Sequence, residues 1–99
     1  MRPIYRARLD KTRLVLVLTR ELVRPYLTRV TVAPITTTIR GLSTEVPVGR
    51  ANGLAERSVV SCDNIVTVPA STLERPIGYL LPAQEAALTA AIHAAFDLD

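Results

Sequence analysis

The chain has 99 residues, of which 48% are hydrophobic and 21% charged, so its composition predicts one small globular domain over residues 1–99. Its longest strongly apolar run, LVLVL, is too short to cross a bilayer, and the opening MRPIYRARLDK lacks the apolar stretch of a signal peptide. The lone Cys62 excludes an internal disulfide, so a reducing cytoplasm is the expected location.

The net charge of +3 rests on twelve basic residues, all of them arginine except Lys11. Arginine binds phosphate through two parallel hydrogen bonds and stacks on bases. An arginine-rich, lysine-poor composition is also what GC-rich codons produce. The arginine content by itself therefore does not indicate a nucleic-acid partner.

Short β-like segments separated by turn residues fill the first eighty positions of the chain. The run LVLVL predicts a strand buried on both faces, and Pro47 predicts that its strand lies at a sheet edge or a bulge. Residues 19–26, TRELVRPY, predict a loop or a single helical turn. Strands this short, with no helices between them, indicate a small antiparallel barrel or sandwich. The predicted strands are Ile4–Leu9, Leu14–Leu18, Thr28–Ile35, Leu42–Val48, Ser58–Cys62, Ile65–Val68 and Ile77–Leu81.

The C-terminal segment PAQEAALTAAIHAAFDLD predicts a helix over residues 82–98. Pro82 suits the first helical turn, and the acid that follows suits the positive end of the helix dipole. Leu88, Ile92, Ala95 and Phe96 share one face at helical spacing, and we expect that face to pack on the sheet.

Most kinds of catalytic site are absent from the sequence. The single cysteine and single histidine do not form a cluster with metal-ligand spacing, so no metal site and no cofactor are expected. His93 lies on the predicted helix, and Cys62 is expected to be a small core residue. No glycine-rich phosphate loop with its lysine is present.

Three features remain, and each has a purely structural alternative. Arg13 precedes the buried run LVLVL and is either a rigidly held cation or an ordinary strand-edge charge. The third strand ends in the row Thr36, Thr37 and Thr38. Its hydroxyl groups either donate hydrogen bonds to a phosphate or simply favour a β-strand and bind solvent. Asp63 and Asn64 join two strands and form either base-contacting groups or a tight turn. They would act together only if the strands bring them to one place.

The blocks RLVLVLTR, VTVAPITTTIRGLSTEVPV and SVVSCDNIVTV, followed by a closing helix, resemble the MazF/PemK-type toxins, closest to mycobacterial members. The resemblance covers residues 4–98. It implies a small SH3-like or CcdB-like antiparallel β-barrel with a C-terminal helix, working as a homodimer. It also implies the toxin of a type II toxin–antitoxin pair, a sequence-specific endoribonuclease. Compared with the family, Leu14 replaces a usual proline, and the first loop shortens to residues 10–12.

The resemblance also implies which residues act. Arg13 and Thr36 take the two catalytic positions, and Ser58, Asp63 and Asn64 fall in the block that contacts RNA. Attack by the RNA 2′-OH would give a 2′,3′-cyclic phosphate and a 5′-OH without a metal. We expect Arg13 to stabilise the pentacoordinate phosphorus and help protonate the leaving oxygen. Phosphate-holding roles are expected for Lys11, Arg20, Thr37, Thr38 and Arg40.

The expected partners are single-stranded RNA, an antitoxin with an acidic flexible tail, and a second copy of the chain, but not a membrane. A non-enzymatic CcdB-like gyrase poison is the first alternative, although such toxins act through a tryptophan-bearing tail and this chain has no Trp. An SH3-like interaction module is the second, but it needs clustered aromatic side chains. The chain offers only Tyr5, Tyr26, Tyr79 and Phe96.

Overall fold

The computed structural model describes residues 1–98, in which seven strands form one antiparallel sheet and one α-helix follows them. All seven predicted strands are present, although β4 begins later and β7 earlier than predicted. The segment between β2 and β3 contains a single helical turn, Arg24–Tyr26, which is one of the two alternatives expected there. The elements are β1 Pro3–Arg8, β2 Thr12–Val17, β3 Arg29–Thr36, β4 Glu45–Val48, β5 Ser58–Ser61, β6 Val66–Pro69, β7 Leu73–Tyr79 and α1 Glu85–Phe96.

The strand β3 is central because it pairs with three others. One edge of β3 pairs with β2. The other edge pairs with β6 through Arg29–Val32 and, farther along the strand, with β5 through Ile35 and Thr36. The change of partner falls beside Pro34, which has no N–H to donate to a ladder. The turn Cys62–Asn64 joins β5 to β6 and therefore lies against β3. The turn predicted at Asp63–Asn64 is thus confirmed.

The predicted class, an antiparallel β fold with a C-terminal helix, is confirmed, but the sheet is open rather than closed into a barrel. Its order is β4-β5-β3-β2-β1-β7, with β6 also on β3. The two outer strands carry Pro47 and Pro76. Proline lacks the N–H that further pairing needs, so both edges resist closure.

Strand alternation divides the core into two clusters, one on each face of the sheet. Leu16 and Ala33 belong to the cluster that packs beneath α1. Val15, Val17 and Val32 belong to the second cluster on the opposite face. The prediction that β2 is buried on both faces is therefore confirmed.

The helix packs on the sheet through a narrower stripe than predicted. Leu88 and Ala91 are buried, and Ile92 and Ala95 pack against the same cluster. The prediction for Phe96 is wrong, since 56% of it is exposed. At about 100° per residue, Phe96 lies about 90° from the centre of this stripe. Within residues 1–98, no helix is both long enough and apolar enough to span a bilayer.

Candidate active site

Arg13 and Thr36 come together through the pairing of β2 with β3. Leu14 pairs with Ile35, so Arg13 and Thr36 occupy the next positions along the same two strands. Side chains alternate between the faces of a strand, which puts both residues on the face opposite Leu14 and Ile35. The two side chains line one open groove with a volume of about 650 Å³.

The groove is formed by strand ends and the loops beside them. Its floor is apolar, and its rim carries hydroxyl, amide, carboxylate and guanidinium groups. This combination suits a ligand with both flat bases and phosphates. The residues that line it include Arg13, Val15, Val32, Thr36, Thr38, Arg40, Leu42, Glu45, Ser61, Asp63 and Asn64.

The guanidinium of Arg13 is held by Asp10, three residues earlier in the short turn between β1 and β2. Nε donates to Oδ1 at 3.0 Å and Nη2 donates to Oδ2 at 3.1 Å. The hydrogen bond from Arg13 lowers the pKa of Asp10 to about 2, and Asp10 in turn raises the pKa of Arg13. A guanidinium carries five N–H donors, so Nη1 and the second N–H of Nη2 stay free of Asp10.

The hydroxyl of Thr36 is oriented by its own turn. The backbone N–H of Thr38 donates to Oγ1 of Thr36 at 3.1 Å. Because this bond uses the oxygen as an acceptor, the O–H of Thr36 remains available as a donor. The threonine row therefore provides an oriented hydroxyl at the groove, and Thr38 itself lines the groove.

The turn between β5 and β6 places two hydrogen-bonding side chains on the rim. The hydroxyl of Thr44 donates to Oδ2 of Asp63 at 2.6 Å, and Nδ2 of Asn64 donates to Oγ of Ser61 at 2.8 Å. Both side chains are exposed and held by a neighbour. Fixed acceptors of this kind suit the hydrogen-bonding edges of single-stranded bases.

Glu45 anchors the loop that carries Arg40. Its Oε1 accepts the backbone N–H groups of Arg40, Gly41 and Leu42 at 3.2, 2.9 and 3.2 Å. Gly41 has a φ of 74°, a left-handed conformation that glycine adopts without strain. Successive N–H groups that converge on one carboxylate fix the loop, and Arg40 and Leu42 then line the groove.

Four of the predicted RNA contacts do not line the groove. Ser58 is only 4% exposed, and its hydroxyl donates to the carbonyl of Glu56, so it faces the core instead. Arg20 lines a separate small cavity near the N-terminus. Lys11 and Thr37 are exposed but lie outside the groove lining.

Three residues of the site were missed by the sequence interpretation. Asp10 had a local signal, since an acid three residues before Arg13 across a tight turn can reach its guanidinium. Glu45 and Ser61 had none, because their positions depend on the pairing of β4 with β5, where they are direct partners.

The remaining reactive side chains lie away from this chemistry. Cys62 is buried as predicted, and burial followed by the charge of Asp63 raises the pKa of its thiol. His93 lies on the exposed side of α1. Among residues 1–98, no three acidic, histidine or cysteine side chains cluster as ligands for a metal ion.

Comparison with known proteins extends over nearly the whole chain. A family model described as PemK-like, MazF-like toxin of type II toxin–antitoxin system matches residues 3–96. Endoribonuclease MazF3 of Mycobacterium tuberculosis is 68% identical over 99 residues, covering 100% of this chain and 96% of that protein. Probable endoribonuclease MazF5 of the same organism is 37% identical over 84 residues, covering 84% of this chain and 77% of that protein.

Solved structures share the fold. Mycobacterium tuberculosis toxin MazF-mt6 superposes with a TM-score of 0.96 at 67% identity, covering 98% of both chains. An endoribonuclease in complex with its cognate antitoxin, from a mycobacterial species, gives 0.87 at 26% identity, covering 98% of this chain and 93% of that one. A MazE–MazF structure from Deinococcus radiodurans, at 16% identity and a TM-score of 0.81, covers 96% of this chain and 92% of that one and shares the fold alone.

Proposed function

This chain belongs to the PemK-like, MazF-like toxins of type II toxin–antitoxin systems and is an endoribonuclease of that family, and we propose that it cuts single-stranded RNA by making the RNA 2′-OH the nucleophile. The observation that carries this mechanism is the juxtaposition of Arg13 and Thr36 in one groove. The expectation of a toxin endoribonuclease is confirmed by the family match. We propose in addition the roles of the site residues and the path of the reaction.

Arg13 is the electrostatic centre of the proposed reaction. The 2′-oxygen forms a bond to phosphorus, the bond from phosphorus to the 5′-oxygen breaks, and negative charge grows on the phosphoryl oxygens. The N–H groups of Arg13 that Asp10 leaves free bind those oxygens, while Asp10 fixes the guanidinium in place. An arginine is always protonated near neutral pH, so in this proposal Arg13 stabilises charge, and the expected role of helping to protonate the leaving oxygen is not kept.

Thr36 provides a second donor to the same phosphate. Its O–H binds a non-bridging oxygen, because its own oxygen already accepts the N–H of Thr38. The proton lost by the 2′-OH passes to solvent, and the 5′-oxygen takes one up from solvent as it leaves. The products are a 2′,3′-cyclic phosphate and a 5′-OH. DNA lacks the nucleophile and is not cut.

Substrate choice is assigned to the rim of the groove. Asp63 and Asn64 accept hydrogen bonds from base edges, and Arg40 and Thr38 hold a neighbouring phosphate. Leu42 and Val66 are exposed apolar side chains in the groove lining, and they support bases that are splayed out of a stack. Lys11, Arg20 and Thr37 lie outside the groove lining and would meet only RNA that extends beyond it. Ser58 is left out of the proposed site.

The test compares the wild type with Arg13→Ala on a 5′-labelled single-stranded RNA in buffer containing EDTA. We expect Arg13→Ala to fold normally and to lose at least about 10²-fold in cleavage rate. Arg57→Ala, which removes an exposed arginine outside the groove, should cut like the wild type. End analysis should find a cyclic phosphate, and one 2′-deoxy substitution at the cut position should block that cut.

Full cleavage by Arg13→Ala would remove the proposed mechanism. Loss of wild-type cleavage in EDTA, with recovery on adding a divalent metal, would contradict metal independence. Cleavage at the 2′-deoxy position would exclude the 2′-oxygen as nucleophile.

We also propose an antitoxin with an acidic flexible tail that covers the groove, in line with the relative solved with its cognate antitoxin. A homodimer in a reducing cytoplasm completes the proposal. Light scattering would give the oligomeric state, and a peptide with the sequence of the antitoxin's acidic tail should inhibit cleavage. The gyrase-poison alternative is not favoured, because the chain is 68% identical over its full length to an endoribonuclease of the same toxin family.

A further inference from the structure

A stripe of basic side chains runs along β1 and β7 and ends at the turn beside the candidate active site. Arg6 and Arg8 lie on β1, Arg75 lies opposite Arg6 on β7, and Lys11 lies in the β1–β2 turn. These four residues, which define the basic stripe, are all exposed. None of them lines the groove, so the stripe is a separate feature of the surface.

Strand register puts the arginines of the basic stripe on the face of the sheet opposite the groove. Arg6 pairs with Leu14 on β2, and residues paired across antiparallel strands share a face. Leu14 packs against the core cluster beneath α1, whereas Arg13 lines the groove on the other face. Arg8 follows Arg6 by two residues and therefore points the same way. The helix packs against β4 and leaves the stripe exposed.

The basic stripe places like charges next to one another. Arg6 and Arg75 are direct partners in the pairing of β1 with β7, and like charges directly opposite on a sheet are destabilising. Within residues 1–98, Arg8 and Arg75 form no ion pair, and Nε of Arg6 lies 3.9 Å from Oε1 of Glu74. The protein's own carboxylates therefore leave most of this charge uncompensated, and an anion from outside would relieve the repulsion.

The spacing and chemistry of the basic stripe favour the backbone of a nucleic acid over a protein. Strand geometry separates Arg6 from Arg8 by about 7 Å, close to the separation of neighbouring phosphates in an extended single strand. The exposed large apolar side chains of residues 1–98 lie elsewhere, except Tyr79 at the far end of β7. Such side chains anchor most protein interfaces, whereas phosphate contacts need only cations.

The turn between β1 and β2 connects the basic stripe to the groove. Leu9 lines the groove and Lys11 follows two residues later, so an RNA chain that leaves the groove beside Leu9 can continue past Lys11 onto the arginines. We propose that the stripe binds the phosphates of single-stranded RNA that flanks the cleaved segment. This inference rests on the proposed function, because it extends the same substrate beyond the groove. Contacts to the backbone add affinity for long RNA without changing the recognised sequence.

The binding test compares the wild type with the double variant Arg8→Gln/Arg75→Gln. The matched control, Arg50→Gln/Arg57→Gln, removes the same charge from two exposed arginines outside β1, β7 and the groove lining. Fluorescence anisotropy follows a labelled single-stranded oligothymidine of about 16 nucleotides over a range of salt concentrations. The stripe variant should bind about tenfold more weakly, and its slope of log K against log salt should fall by about 1.4, since each phosphate contact contributes about 0.7. The control should stay close to the wild type.

Cleavage kinetics then locates the effect on the flanking RNA. On an RNA of about six nucleotides around the cut, the stripe variant should match the wild type. On the same RNA extended to about 16 nucleotides, its KM should rise about tenfold with kcat unchanged. Denaturant unfolding should show that the stripe variant is at least as stable as the wild type, because the substitution removes the like-charge pair of Arg6 with Arg75.

The binding measurement does not depend on cleavage, so failure of the nuclease mechanism would appear separately, as RNA cleavage by Arg13→Ala with binding to the stripe intact. Equal loss of binding in the stripe and control variants would overturn the inference. A rise in KM of the same size on the short and the long RNA would also overturn it. Tighter binding of oligoglutamate than of the oligonucleotide, lost in the stripe variant, would assign the stripe to an acidic protein instead.

Discussion

Arg13 and Thr36 occupy the positions next to the Leu14–Ile35 pair on β2 and β3, and both side chains line one groove. Opposite residues on antiparallel strands have Cβ atoms about 5 Å apart. A long guanidinium and a short hydroxyl at that separation can bind the same phosphodiester. Neither residue sits on a flexible loop, so strand pairing fixes their relative positions.

The hydroxyl of Thr36 should matter more than its shape. Thr36→Val keeps the volume and removes the donor, so kcat should fall by about 10²-fold or more, while Thr36→Ser should retain much of the rate. Single-turnover cleavage of a labelled RNA gives the comparison. Thr37→Val is the control, because Thr37 is exposed and outside the groove lining. Equal losses at the two positions would contradict a specific role for Thr36.

The ion pair between Asp10 and Arg13 predicts an acid-resistant carboxylate. The pKa of Asp10 falls from 3.8 to about 2 because Arg13 donates to it, so any stabilisation from the pair is complete above pH 3.8 and lost as the pH falls towards 2. Carboxyl-carbon NMR titration should show this low pKa in the wild type and a return towards 3.8 in Arg13→Ala. An unchanged pKa in that variant would show that Arg13 is not its cause.

Asp10 should also affect catalysis through Arg13. Asp10→Asn keeps one acceptor oxygen but loses the negative charge and the second hydrogen bond to Arg13. The guanidinium is then held less firmly in its orientation. We expect kcat to fall by about tenfold or more with KM little changed. Lys11→Gln, in the same turn, is the control and should leave kcat intact. A change confined to KM would assign Asp10 to binding instead.

Glu45 should act on substrate binding by holding the Arg40 loop. Glu45→Ala leaves three backbone N–H groups without their acceptor, so KM should rise several-fold with a smaller change in kcat. Glu45→Gln keeps one acceptor oxygen and should recover part of the loss. Steady-state cleavage kinetics separates the two constants. A fall in kcat alone, equal in both variants, would argue against loop positioning.

Asn64 should influence the recognition sequence more than the rate. Asn64→Asp replaces a donor and acceptor with acceptors only, which alters pairing with base edges and removes the N–H that Asn64 donates to Ser61. Mapping of cut ends on total RNA should show a shifted base preference at one position of the site. Asn64→Gln keeps the amide group but places it one methylene farther from the backbone, so it tests whether the position of the amide matters. An identical cut pattern in Asn64→Asp would exclude it from base recognition.

The fold depends on a close backbone contact at Gly78. A Cβ at this position would lie 1.9 Å from the carbonyl oxygen of Asn52, so Gly78→Ala should destabilise the protein by about 3 kcal/mol or more. Denaturant unfolding measures the loss. Gly49→Ala is the matched control, since its nearest neighbour would be an ordinary 3.9 Å away and its backbone is extended. Equal stability of the two variants would contradict this close approach of Gly78 to Asn52.

Local sequence pattern predicted most of the fold. Alternation and turn residues indicated all seven strands, and Pro82 with the apolar spacing behind it indicated the helix. The same alternation is the reason that Arg13 shares a face with Val15, and Thr36 with Val32. These features are set by short-range geometry, which a sequence expresses directly.

Strand β5 shows what local pattern leaves open. Ser58 and Ser61 stand three residues apart and therefore face opposite sides of the sheet. Ser58 is buried, whereas Ser61 lines the groove, so the serine that we expected to contact RNA is not the one at the groove. Which serine faces the groove is decided by the pairing of β5 with β3 and β4.

The sequence by itself determined the strand-then-helix order, the buried run in β2 and the faces of Arg13 and Thr36 within their own strands. Only the tertiary structure decided that Glu45 and Ser61 line the same groove, that Arg20 lines another cavity, and that Phe96 lies outside the core. The physical reason is range: alternation is a property of neighbouring residues, whereas register between distant strands is fixed by the packing of the whole sheet.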